Sequence, residues 1–144
     1  MTFPVLQDKV IIVTGAAQGM GEATAHLAAA AGASVVVADF NEKGGQSVVD
    51  AIVADGGKAS FVKTDVSDGS SVKAMVAKTV ELYGRLDGAV NNAAVKPDQD
   101  VLSELDEDYF DKLIGVDLKG VALSLKYELQ QMLKQGDGVG RAHV

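Results

Sequence analysis

Short apolar runs alternate along the chain with longer segments of helical spacing. The runs are KVIIVT (Lys9 to Thr14), ASVVVAD (Ala33 to Asp39), KASFVKTD (Lys58 to Asp65) and LDGAVNN (Leu86 to Asn92). The first two are unbroken stretches of β-branched and small residues, the pattern of parallel strands covered on both faces. Between them the spacing predicts helices over Gly19 to Ala31, Asn41 to Asp55 and Asp68 to Tyr83. Gly32, the Gly56-Gly57 pair and Gly84 follow these segments, where helix C-termini favour glycine, and Asn41 and Asp68 stand where N-caps belong. The order is β-α-β-α-β-α-β. With right-handed crossovers it predicts a Rossmann-type, doubly wound α/β fold with a parallel sheet in the order 3-2-1-4, one domain over residues 1–144.

After the fourth run the pattern changes. ELDEDYFDKLIGVDLKGVALSLKYELQQMLKQG is helical in character, with Gly115 and Gly120 as breaks and Gly136 as its end. Leu118, Val121, Ala122, Leu125, Leu129, Met132 and Leu133 form an apolar stripe at three- and four-residue spacing. A fifth apolar strand is expected next. The tail VGRAHV instead interrupts its apolar residues with Gly140, Arg141 and His143.

Composition removes several function classes. The chain has no cysteine, so disulfides, thiolate zinc sites and a cysteine nucleophile are out, and a reducing cytoplasm suits it. Its net charge of −7 argues against nucleic acid, whose phosphates demand clustered Lys and Arg. No signal peptide is legible at the N-terminus, and no segment nears the ~20 apolar residues of a membrane helix. The acids of Asp98 to Asp111 read as a solvated loop entering a helix, with carboxylates in its first turn to suit the dipole, rather than as a cation site.

TGAAQGMG, Thr14 to Gly21, carries the chemistry. It leaves a buried strand and opens a helix. Gly15 permits the tight turn. Gly19 and Gly21 leave room for a pyrophosphate and for the helix to pack on the sheet, and the helix N-terminus offers free N–H groups. Asp39 ends the second strand, 18 residues after Gly21. A carboxylate there accepts both ribose hydroxyls of an adenosine and repels a 2′-phosphate, and Ala16, Ala17 and Phe40 offer no cation to bind one. NAD is therefore expected over NADP.

T-G-x-x-x-G-x-G, an acid after strand two, DV (Asp65-Val66) after strand three and NNA (Asn91 to Ala93) after strand four resemble the short-chain dehydrogenase/reductase family, from Lys9 to about Gly138. The resemblance implies hydride transfer between NAD(P)H and an alcohol or ketone. Carried onto this chain, it places Thr14, Gly15, Gln18, Gly19, Met20 and Gly21 at the pyrophosphate and Asp39 and Phe40 at the ribose. Asp65 and Val66 fall to the adenine, and Asn91, Ala93 and Ala94 to the middle of the cofactor. Ala94 stands where the family often has glycine. The two helices after strand four, residues 106–134, commonly form the family's dimer interface, so a homo-oligomer is expected.

The family's catalytic set is incomplete here. Its tyrosine acid/base needs a lysine four residues on, because a phenol near pKa 10 requires a neighbouring positive charge to work near neutrality. Tyr83, Tyr109 and Tyr127 are followed at that distance by Asp87, Leu113 and Gln131. The family's serine belongs to a fifth strand, and Ser124, within the apolar helix, does not replace it. The family's asparagine falls on Asp117. His26 and His143 have no catalytic companions, and no metal set is legible. The expectation is a family member truncated at about its first half, holding the dinucleotide at best. A non-catalytic nucleotide-binding module and a non-functional gene fragment are the alternatives.

Overall fold

The computed structural model describes residues 5–136. The tail, where the sequence reading places the loss of a fifth strand, and His143 within it lie outside the described residues. Four strands, β1 (Val10–Thr14), β2 (Ser34–Asp39), β3 (Lys58–Lys63) and β4 (Gly88–Asn91), form a parallel sheet in the order β3-β2-β1-β4. Helices α1 (Gly19–Ala30), α2 (Glu42–Ala54) and α3 (Gly69–Tyr83) make the crossovers. The doubly wound fold and strand order expected from the sequence are those observed, with ends shifted by one to two residues.

Strand alternation divides the core in two. Val13, Val35 and Val37 face α1 and α2, where they meet Ala25, Ala28, Val48, Val49 and Ile52. Ile12, Val36 and Ala38 face the other way, against Val72, Met75 and Val76 of α3, with Leu86 and Met132. Val35, Val36 and Val37 are fully buried, each contributing about 1.5–3 kcal/mol of transfer free energy. This is why β2 reads as an unbroken apolar run. Asn41 and Asp68 cap α2 and α3 through their side chains, accepting from Gly44 N–H and Ser70 N–H. Gly84 ends α3 in the left-handed region (φ 81°).

The last helical stretch differs from its expectation in two ways. Gly115 and Gly120 do not break it. Helix α4 (Glu107–Leu113) passes through a π-helical stretch, Ile114–Gly120, straight into α5 (Val121–Gln135). Gly120 serves close approach instead: a Cβ there would lie 2.8 Å from Val66 Cγ2. The apolar stripe also faces mostly outward, with Leu118, Leu125 and Leu133 exposed at 64%, 40% and 71%. The inward row is Gly120, Ser124, Glu128 and Met132, all buried, a run of i, i+4 positions. Leu123 and Tyr127 flank it and pack on the core. Among the described residues no helix is long and apolar enough to cross a membrane.

Candidate functional site: the crevice at the switch point

Strand order reverses between β1 and β4, and the chain leaving both strands opens a crevice of about 930 Å³ at their C-terminal ends. Such a switch point is where doubly wound sheets bind ligands. The glycine turn supplies one wall. Gly15, Gln18, Gly19 and Met20 line it, with Met20 81% exposed at the first turn of α1.

The three glycines have separate tasks. A Cβ on Gly15 would lie 2.7 Å from Ala93 Cα, and one on Gly21 would lie 2.1 Å from Gly15 O. Both keep backbone against backbone, and Gly21 does not line the crevice. Gly19 (φ 60°) has nothing within 4 Å of such an atom, so its missing side chain leaves open space in the crevice itself.

Asp39 stands at the lip. Its Oδ2 accepts from Ala17 N–H (2.9 Å) and its Oδ1 from Asn41 N–H (2.8 Å). An ionised carboxylate has about four acceptor positions, so each oxygen keeps capacity for a further donor. Phe40, beside it, carries the Lys63 ammonium 5.8 Å from its ring centroid, and Lys63 also lies 3.7 Å from Glu42. A cation thus comes near Phe40 from β3, though none is adjacent in sequence.

Asp65 and Val66 line the crevice beyond β3. Asp65 Oδ1 accepts from the Ser67 N–H and hydroxyl, at 2.9 and 2.6 Å, which fixes the carboxyl at the strand end. Across from them, Ala93 and Ala94 line the crevice with Asn92 and Val95.

The end of β4 is fastened to the glycine turn. Thr14, 1% exposed, does not line the crevice. Its Oγ1 accepts from Asn92 N–H and Ala93 N–H at 3.0 and 3.1 Å. Asn92 Nδ2 donates to Thr14 O and Gly15 O, both at 3.2 Å. Asn91 points the other way, as strand alternation requires: its Nδ2 donates to Glu128 Oε2 of α5 (2.8 Å), and it is not a lining residue. Sequence reasoning named Asn91 and passed over Asn92; the period-two pattern running from Gly88 held the signal.

Asp117 lies in the π-helical stretch, and its Oδ1 accepts from Val95 N–H (2.9 Å). The contact uses acceptor capacity alone, which aspartate and asparagine share. The carboxylate therefore pins the loop after β4 without lining the crevice. Lys112, Lys119 and Asp111 do line it, and sequence reasoning missed them. Lys119 lies in the π-helical stretch, which has no sequence signature here, and Asp111 and Lys112 in the last turn of α4 before it.

No tyrosine reaches the crevice. Tyr83 OH pairs with Ser60 Oγ (2.8 Å), Tyr109 OH donates to Lys96 O, and Tyr127 packs into the core cluster beneath α5. His26 is half-buried on α1, away from the crevice. In the acidic stretch, Asp106 caps α4, with Glu107 and Asp108 in its first turn. Among the described residues no group of three acids or histidines is arranged to hold a metal ion.

Residues 9–139 match the family model for short chain dehydrogenase. The chain is 54% identical over 134 residues to short chain dehydrogenase/reductase astE of Aspergillus oryzae, covering 92% of this chain and 51% of that one. It is 40% identical over 131 residues to 2,5-dichloro-2,5-cyclohexadiene-1,4-diol dehydrogenase of Sphingobium indicum, covering 91% of this chain and 51% of that one. The crystal structure of a short chain dehydrogenase from Mycobacterium smegmatis superposes with a TM-score of 0.87 at 32% identity, covering 91% of this chain and 55% of that one. The chain spans about half the length of these relatives. With the glycine turn, the acid after β2 and the strand order all in place, this chain belongs to the short chain dehydrogenase family.

Proposed function

We propose that this chain is the dinucleotide-binding portion of an oxidoreductase that moves a hydride between NAD(H) and an alcohol or ketone. The observation that carries the reading is the crevice wall itself: Gly19 leaves space where a side chain would stand, and the Asp39 carboxylate flanks it with both oxygens oriented by backbone N–H groups. The residues fit the cofactor's parts. The turn from Gly15 to Met20 and the N-terminus of α1 would take the diphosphate, with Lys119 and Lys112 as cations across the crevice. Asp39 and Phe40 would hold the adenosine ribose, Asp65 and Val66 the adenine, and Ala93 and Ala94 the middle of the molecule. When bound, the nicotinamide supplies the hydride chemistry.

Asp39 favours NAD, because a second phosphate on the ribose would meet a carboxylate. Lys63, whose ammonium lies over the Phe40 ring, has Glu42 at 3.7 Å. With no tyrosine in the crevice and no Tyr-x-x-x-Lys in the sequence, this chain's own residues bind and orient a dinucleotide and supply no acid or base for the proton of a substrate hydroxyl. The exposed row Phe110, Ile114, Leu118, Leu125 and Leu133 supports self-association through residues 106–134. Titration calorimetry with NAD and NADP tests the reading. Binding of NAD with weaker binding of NADP is expected. No heat with either, or turnover of simple alcohols by the chain alone, would overturn it, and a monomer in sedimentation would remove the interface.

A further inference from the structure

The least expected side chain in the core is Glu128. It is 2% exposed, and its neighbour one turn earlier, Ser124, is 1% exposed. Apolar residues would fill both places more cheaply, since a buried polar group costs free energy unless it is hydrogen-bonded. Glu128 makes one such bond: Oε2 accepts from Asn91 Nδ2 at 2.8 Å. Three polar atoms around it, Asn91 Oδ1, Glu128 Oε1 and Ser124 Oγ, are buried without a protein partner. A carboxyl retained at such cost calls for a task, and its one partner names it.

Asn91 is the last residue of β4, paired in register with Thr14, the last residue of β1. The next two peptide groups, Asn92 N–H and Ala93 N–H, close on Thr14 Oγ1. Ala93 Cα then sits so near Gly15 that the glycine has no room for a side chain. The fit leaves no slack, so the direction in which β4 ends decides where one crevice wall stands.

We propose that Glu128 is a positioning residue for the dinucleotide crevice, holding the end of β4 against the glycine turn through the Asn91 amide. The inference rests on reading the crevice as a nucleotide site, but its mechanical half stands apart from any ligand. Burial pushes the Glu128 carboxyl above its ordinary value of 4.5, and the Asn91 bond only partly offsets this. No cation contributes. The apolar cluster on this side of the sheet holds Val72, Met75, Val76 and Ala89, with Tyr83 and Tyr127 its titratable members. Burial thus disfavours the charged form of Glu128. A carboxyl raised in the folded state stabilises it fully below the unfolded value, and that contribution is lost as pH rises through the folded value. Ionisation puts an unpaired charge between α5 and β4.

The test uses Glu128→Met, which keeps the volume and deletes the acceptor, and Glu128→Gln, which keeps acceptor and shape but cannot ionise. Amide hydrogen exchange, corrected for intrinsic rates, reads Asn92 and Ala93 against Val35 to Val37 of β2. Exchange at Asn92 and Ala93 should speed about tenfold in Glu128→Met with β2 unchanged, and return to the parent rate in Glu128→Gln. Raising the pH should speed it in the parent chain but not in Glu128→Gln. The NAD dissociation constant should follow the same order. Equal protection in all three chains, a loss shared evenly with β2, or a Glu128→Gln variant no better than Glu128→Met would overturn the proposal. If Glu128→Met does not fold, Asn91→Leu combined with Glu128→Met removes both polar partners, and undiminished protection of Asn92 in that double variant sinks the idea. A parent chain that ignores NAD while the exchange pattern holds defeats the nucleotide reading and leaves the positioning role standing.

Discussion

The N–H of Ala17 donates to the Asp39 carboxylate across 2.9 Å, joining the glycine turn to the end of the neighbouring strand. One oxygen thus serves the fold before it serves any ligand. The other takes Asn41 N–H at the entry to α2. Asp39→Ala leaves the Ala17 N–H without its acceptor, at about 1–3 kcal/mol. Asp39→Asn keeps one acceptor oxygen and should cost less. Urea unfolding checks this order. Titration of each variant with both nucleotides should show NAD weakened and the margin over NADP narrowed, because the repelling charge is gone.

The fold was legible because its strands are covered on both faces. A run such as Val35 to Val37 has no reason to be uninterrupted unless helices lie above and below, and that alone implies βαβ crossovers. Asp39 was legible because its place is fixed by the strand end. What failed to show was anything resting on a side chain's direction or on irregular helix. Asn91 and Asn92 are adjacent and chemically identical, yet alternation sends one to Glu128 and the other to the glycine turn. The stripe from Leu118 to Leu133 obeyed helical spacing and still faced mostly outward, because the inward row begins at Gly120, whose missing side chain admits Val66. Spacing identifies a face without saying which neighbour it meets.

The glycines of the turn separate stability from binding. In Gly21→Ala the new methyl meets Gly15 O at 2.1 Å, a backbone atom that cannot swing aside. The expected result is a loss of several kcal/mol, on the scale of severe overpacking, with failure to fold as the extreme. In Gly19→Ala the methyl meets no protein atom, and the left-handed backbone costs about 1–2 kcal/mol. That methyl projects into the crevice, so NAD affinity should fall more than stability does. Urea midpoints and calorimetric titration, run on both variants, decide whether the two losses part company.

Asp87 links the stability of the chain to pH in the acid range. Burial raises this carboxyl, but hydrogen bonds from Arg85 and Val10 N–H and the charges of Arg85 and Lys9 outweigh it, and it ends below 3.8. A carboxyl depressed in the folded state stabilises it above the unfolded value, and the contribution is lost as pH falls through the folded value. Asp87 Oδ2 holds the first N–H of β1, Val10, at 2.9 Å. Arg85 is 40% exposed, so its attraction is screened, and the Val10 bond is the contribution that acts on the fold directly. Asp87→Asn should lower stability near neutrality by about 1 kcal/mol and flatten the decline below pH 3.8, read from urea midpoints across the acid range.

Leu86 is fully buried, and its peptide group turns away from β1, whose Val10 O takes the next N–H along, that of Asp87. Both its polar atoms find the same partner. Gln135 Oε1 accepts from Leu86 N–H and Gln135 Nε2 donates to Leu86 O, each at 2.9 Å, as an adjoining strand's peptide would. A primary amide offers a donor and an acceptor side by side, as a peptide group does, and Gln131 orients it through a further bond of 2.8 Å. Gln135→Leu strands two buried backbone groups and should cost about 2 kcal/mol or more. Gln135→Glu still accepts from the N–H but sets a carboxylate against the Leu86 carbonyl, so it should fall between. Urea unfolding of the three chains, with exchange at the Leu86 amide, checks the order. If the leucine variant matches the parent, the amide is a bystander to packing by α5, and the start of β4 is held by its pairing with β1 and by apolar contact.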